Sequence, residues 1–179
     1  MNEENKRLKR CCFTGHRPGK MQQTEAEVIP LLEAAIDNAI SEGFRTFITG
    51  MARGTDIWAA RIVLARRASD PDIKLVCALP HPGFEKGRSY AEVAEFQRIV
   101  ESSDYVCTVS KSFSASCYQR RNEWMVDRSS LVIAVYNGLP SGTGNTFKSL
   151  IACCACAMET VPKSSISLNM APLMVSCIG

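Results

Sequence analysis

Long apolar runs are missing from this sequence. No stretch approaches the ~20 consecutive apolar residues that a helix needs to cross a bilayer, so no membrane role is expected. No secretory leader is expected either, because the charged run Lys6-Arg7-Leu8-Lys9-Arg10 is followed by no apolar region of the right length. Histidine is scarce, with only His16 and His81. Aromatic residues make up 7% of the chain and are not interleaved with basic ones, and the net charge is only +3. Both facts argue against a nucleic-acid-binding surface. There is no internal repeat and no linker. The expectation is one domain over residues 1–179, with a core from about residue 8 to residue 160 and a tail at 161–179.

Cysteine, by contrast, is plentiful: nine residues, an odd number. Cys11, Cys12, Cys77 and Cys107 fall within apparent strands, where a free thiol behaves as a small hydrophobe. A reducing, cytoplasmic setting with no disulfide framework is expected. Cys153-Cys154-Ala155-Cys156 lies in an Ala-rich run that reads as helix, and no histidine follows His81 to complete a zinc set. Neither a metal nor a cofactor is expected. The hydrophobic fraction of 46% and charged fraction of 22% are those of an ordinary globular chain.

The informative stretch runs from Phe44 to Asp56. Residues 44–49 are β-branched and aromatic, as a strand requires. Gly50-Met51-Ala52-Arg53-Gly54 then forms a turn, and Thr55-Asp56 opens a helix with Ile57, Ala60, Val63 and Leu64 at helical spacing. A glycine turn feeding a helix offers backbone N–H groups at the positive end of the helix dipole, which suits a phosphate. Arg53 would add a mobile cation. The pattern is neither G-x-G-x-x-G nor a Walker loop. The simpler alternative is a turn that needs its two glycines for geometry alone.

The rest of the chain alternates in the same way. Strands are expected at residues 8–14, 73–79, 104–110 and 131–136, with 165–168 a candidate last strand and the end packing loosely. Helices are expected at residues 24–41, 89–102, 117–128 and 146–158, with Pro30 in the first two turns of the first expected to shift its start or kink it. This alternation predicts an α/β fold with a mainly parallel sheet and right-handed crossovers. In such a sheet, ligands bind beyond the C-terminal strand ends. The unusual residues of the chain fall there: Gly15, His16 and Arg17; Gly50, Arg53, Gly54, Thr55 and Asp56; Arg121 and Asn122; and Gly142, Thr143, Asn145 and Thr146. Two phosphate-style turns and several arginines on one edge point to a nucleotide-like ligand. Trp58 and Trp124 occupy helical packing positions and are expected in the core or an interface rather than under a base. Glu123 and Asp127 could be ordinary solvent-facing residues paired with neighbouring arginines.

Four segments, taken together and in order, resemble the YpsA-like branch of the SLOG superfamily. They are Thr14-Gly15-His16-Arg17-Pro18, Gly50-Met51-Ala52-Arg53-Gly54-Thr55-Asp56, the run from Tyr118 through Arg121-Asn122-Glu123-Trp124 to Asp127, and Gly142-Thr143-Gly144-Asn145-Thr146. The resemblance implies a Rossmann-like three-layer fold with five or more strands, and binding of nucleotides or derivatives such as ADP-ribose or NAD. It also implies kinship with the Lonely Guy phosphoribohydrolases and the DNA-binding protein DprA. Family relatives often dimerise, so a homodimer is compatible with it. Two departures stand out. Met51 replaces a frequent second glycine, and Lys148 stands where the Lonely Guy enzymes carry a catalytic glutamate. Cleaving an N-glycosidic bond needs a carboxylate near the sugar. The expected function is therefore a nucleotide-ligand binding or sensor protein. A nucleotide N-glycosidase using Asp56 or Glu123 is the alternative, and DprA-like nucleic-acid binding is a weaker one.

Overall fold

The computed structural model describes residues 3–21, 23–135 and 173–177. The helix starts and stops are written in local chemistry. Helix α2, Glu25–Ser41, opens on a capping box: the backbone N–H of Thr24 donates to Glu27 Oε2 at 2.7 Å. It runs through Pro30 without a break. It closes where Gly43 takes φ +91°, with the N–H of Gly43 donating to Ile40 O and that of Phe44 to Ala39 O, each at 3.0 Å. This Schellman closure consumes Gly43 and Phe44, so strand β2 begins at Thr46 rather than Phe44.

The remaining elements follow the expected order. Helix α1 is Glu3–Arg7 and strand β1 is Arg10–Gly15; β2 is Thr46–Thr49 and α3 is Thr55–Arg67. Then come β3 at Lys74–Leu79, α4 at Tyr90–Ser102, β4 at Tyr105–Thr108, α5 at Cys117–Asp127 and β5 at Leu131–Val135. Strand β6, Leu173–Cys177, pairs antiparallel with β5, bringing Leu173 opposite Val135. This corrects the expectation of a loosely packed end. The strand expected at 165–168 and the helix at 146–158 lie outside the described residues.

The sheet order is β4-β3-β2-β1-β5-β6, with the first five strands parallel. Side chains alternate across it with period two. Cys11, Phe13, Phe47, Leu75, Cys77, Leu131 and Ile133 point to one face and pack against α2, α3 and α4. Phe13 and Phe47 stack at 6.0 Å between ring centroids. Cys12, Ile48, Ala78, Val132 and Ala134 point to the other face and meet Met125 and Trp124 of α5. Each fully buried large side chain stabilises the fold by roughly 1.5–3 kcal/mol. Strand β4 is the sheet edge, and Tyr105 is 59% exposed.

Because α2 leaves β1 on one face while α5 reaches β5 on the other, the order reverses between these two neighbouring strands. That reversal puts a crevice at their C-terminal ends. His16 begins the loop there, its N–H donating to Val135 O at 3.2 Å.

Candidate functional site

The loop between β2 and α3 is tied down by its own side chains. The Thr49 hydroxyl donates to Asp56 O at 2.9 Å and accepts from the Met51 N–H at 3.2 Å. The Ala52 N–H donates to Asp56 Oδ2 at 3.1 Å. Met51 is fully buried with φ +58°, an uncommon conformation for a side chain of this size. Gly54 turns the chain into α3 at φ +86°, which glycine adopts without strain.

From α5, Arg121 reaches across the sheet edge to this loop. Its Nη1 lies 3.5 Å from Asp56 Oδ2, and both side chains are buried. The approach depends on Gly50, where a Cβ would stand 1.4 Å from Arg121 Nη1. Gly15 plays the matching part for α3, since a Cβ there would fall 2.1 Å from Thr55 Oγ1. Both glycines are therefore needed for close approach. Thr55 itself is buried, and its hydroxyl has no hydrogen-bond partner among the described residues. The buried Arg121 Nε lacks one as well.

The electrostatics are set by burial and by crowding of like charge. Burial pushes the Arg121 guanidinium down; Asp56 opposes this and Arg17 adds to it. Burial also pushes the Asp56 carboxyl up, against the pull of Arg121 and the Ala52 N–H. Arg88, half-buried, is lowered first by burial and then by Arg53, with Arg17 contributing too. Arg17 thus acts on both Arg88 and Arg121, and Arg53 on Arg88, near the N-terminus of α3, whose first-turn N–H groups have no acceptor within the helix. Such a cluster is relieved by an anion.

One expected site residue, Arg53, has settled partners. Arg53 is not a mobile cation: its Nε donates to Glu92 Oε1 at 2.6 Å and its Nη2 to Gly87 O at 2.9 Å. Glu92 also caps α4 by accepting from the Ser89 N–H at 2.8 Å, and that bond, followed by the Arg53 contact, lowers its carboxyl to about 2. Arg88, which the sequence reading passed over, donates to Met51 O at 2.7 Å while its guanidinium lies over Phe84 and Phe96. Only the fold brings Arg88 and Arg53 together.

The other expected residues divide. His16 is buried at the β1 end, and Arg17 beside it is exposed, with no ion pair among the described residues. Asn122 borders a void of about 10 Å³ with Thr14. Glu123 is exposed and accepts from the Gln119 side chain at 2.9 Å, on a different face of α5 from Arg121. Gly142, Thr143, Asn145 and Thr146 lie outside the described residues. A cavity of about 630 Å³ opens on the α5 side of the sheet, over Ile48 and Val76 and beside Trp124. Of its charged residues, Glu3 pairs with Arg10 and Arg128 lies against the Trp124 ring, while Arg7 and Asp127 also line it. It holds none of the strand-end residues.

A mainly parallel sheet with helices on both faces and a basic crevice at the strand ends defines a Rossmann-like α/β protein. The chain belongs to the YspA SLOG family, whose model matches residues 11–156. It is 33% identical over 127 residues to the SPbeta prophage-derived protein YoqJ of Bacillus subtilis (strain 168), covering 64% of this chain and 74% of that one. It is 20% identical over 118 residues to the UPF0398 protein SERP1017 of Staphylococcus epidermidis, covering 65% of this chain and 63% of the relative, so it spans less than two thirds of that protein. The X-ray structure of TM1055 superposes with a TM-score of 0.46 at 12% identity, over 73% of this chain and 62% of that one. No helix among the described residues is long and apolar enough to cross a membrane.

Proposed function

We propose that this chain is a cytoplasmic binding or sensor protein for a nucleotide or nucleotide-derived ligand, of the ADP-ribose or NAD kind, held at the C-terminal edge of the sheet. One observation carries the reading: Arg17, Arg88 and Arg121 crowd the N-terminus of α3, beside a buried Thr55 hydroxyl that has no hydrogen-bond partner among the described residues. A phosphate there would accept from the first-turn N–H groups, from Thr55 and from Arg17. Gly142, Thr143, Asn145 and Thr146 are proposed to contribute a second phosphate or ribose contact, and His16 and Asn122 to border the ligand. Family membership agrees with this reading.

Binding is favoured over glycosidase chemistry because the nearby carboxylates are already engaged. Asp56 accepts from Ala52 and faces Arg121, and Glu92 holds Arg53 and caps α4. Calorimetric titration with AMP, ADP-ribose, NAD and a cyclic dinucleotide tests the proposal. One of them should bind, and Arg17→Ala should weaken it roughly 10- to 150-fold, the loss of one charge-assisted hydrogen bond. Incubation with the bound nucleotide should release no ribose 5-phosphate. A panel that produces no binding with well-folded protein sinks the nucleotide reading.

A further inference from the structure

Beside the arginine crevice lies an aromatic cluster that the phosphate reading does not use. Phe113, on the loop between β4 and α5, is 67% exposed. Its ring centroid lies 5.3 Å from His81 and 6.3 Å from Tyr118, all edge to face, and Phe84 closes the group at 6.0 Å from Tyr118. These rings come from three separate segments that meet at the ends of β3 and β4. An exposed phenylalanine on a serine-rich loop would ordinarily be free to move. Here the loop is pinned by one side chain: Arg120 donates to the hydroxyls of Ser110, Ser114 and Ser116 at 3.3, 2.7 and 2.9 Å. His81 is oriented too, its Nδ1–H donating to Pro82 O at 2.9 Å, since a carbonyl can only accept.

Tyr118 links this cluster to the arginines. It precedes Arg121 by three residues on α5, so the two share a helix face, with Cβ atoms about 5–6 Å apart. The Tyr118 phenol acts electrostatically on the Arg121 guanidinium. A flat ring seated on the cluster would thus share the α5 face that carries Arg121 toward the α3 N-terminus.

We infer that the His81–Phe113–Tyr118 cluster is a stacking platform for the base of the ligand, so that the site takes a nucleotide with its aromatic heterocycle rather than a sugar phosphate alone. This rests on the proposed phosphate site and specifies its other half. A ring on Phe113 would cover an apolar face now open to water, and stacking tolerates different bases because each has a π-face.

The test compares AMP with ribose 5-phosphate as titrants of the full chain, in wild type, Phe113→Ala and Phe113→Trp. Phe113 is exposed, so neither substitution should disturb folding, which the unfolding midpoint checks. AMP should bind more tightly than ribose 5-phosphate. Phe113→Ala should weaken AMP roughly 5- to 150-fold and leave ribose 5-phosphate unchanged, while Phe113→Trp restores AMP. If AMP and ribose 5-phosphate bind equally, or Phe113→Ala leaves AMP untouched, the platform is overturned and the phosphate site stands. If neither titrant binds, the platform is overturned, and the phosphate site falls with it only if ADP-ribose, NAD and the cyclic dinucleotide fail to bind as well.

Discussion

At the scale of single residues, the sharpest constraint is Gly50. A methyl group there would sit inside the Arg121 guanidinium, 1.4 Å from Nη1. Gly50→Ala should therefore push Arg121 off Asp56 and destabilise the fold by about 1–3 kcal/mol, measured by denaturant unfolding. Removing the cation tests the pair from the other side. Arg121→Met leaves a buried carboxylate uncompensated and should cost about 3–5 kcal/mol at neutral pH. The pH dependence has a definite sign. Asp56 already sits above its ordinary value of 3.8 because of burial, and without Arg121 it rises further. A carboxyl raised in the folded state leaves stability intact below 3.8 and erodes it as pH climbs through the folded value. The variant should therefore approach wild type in acid and diverge as pH rises. Adding Asp56→Asn should remove that divergence. The sequence reading left Gly50 either to a phosphate turn or to turn geometry alone; the close approach of Arg121 is a further constraint that nothing local announces.

At the scale of elements, Glu92 joins two jobs, capping α4 and holding Arg53 against the β2–α3 loop. Its carboxyl is lowered from 4.5 to about 2. The stability this provides is present above 4.5 and is lost as pH falls from there toward about 2. Hydrogen-exchange protection at the start of α4, taken relative to the intrinsic rate at each pH, should fall across that window in wild type, and Glu92→Gln should flatten the response. Thr24→Ala, at the other capping box, should cost about 1 kcal/mol without affecting the strand-end loops. Elements of this kind were legible in advance because their signals are local. Thr24 with Glu27, Gly43 after α2 and Ser89 with Glu92 each act within a few residues. The Arg53–Glu92 pair spans 39 positions, so nothing in the periodicity could reveal it, and Arg53 was read as free. The exposure of β4 was hidden for the same reason: Val106 and Cys107 look like core, and only the sheet order makes them an edge.

At the scale of the whole molecule, both faces of the sheet are sealed by thiols as well as aliphatic side chains. Burial raises Cys12 to about 12 and Cys77 to about 11. Cys11 and Cys117 are buried with them, and all four are free thiols. A thiol-alkylating reagent at neutral pH should leave these four untouched in the native state and modify them on denaturation, as read by peptide mass mapping. The alternation of strands and helices made the mainly parallel fold legible, and the strand-end rule collected Arg17, Asp56 and Arg121 onto one edge. The antiparallel β6 was not legible, because its place depends on pairing with β5 far away in sequence. The aromatic cluster was missed because His81, Phe84, Phe113 and Tyr118 are scattered along the chain and meet only through the fold.

The most direct test of the central claim is the thermal unfolding midpoint of wild type and Arg17→Ala, with and without ADP-ribose. A ligand at about 100 times its dissociation constant adds roughly 2.7 kcal/mol. For a chain of this size that is a shift of about 5–10 °C. The account predicts a shift of that order in wild type and a much smaller one in Arg17→Ala, with both proteins unfolding at the same temperature when no ligand is present. An equal shift in the two proteins would contradict the arginine-lined phosphate site at the N-terminus of α3.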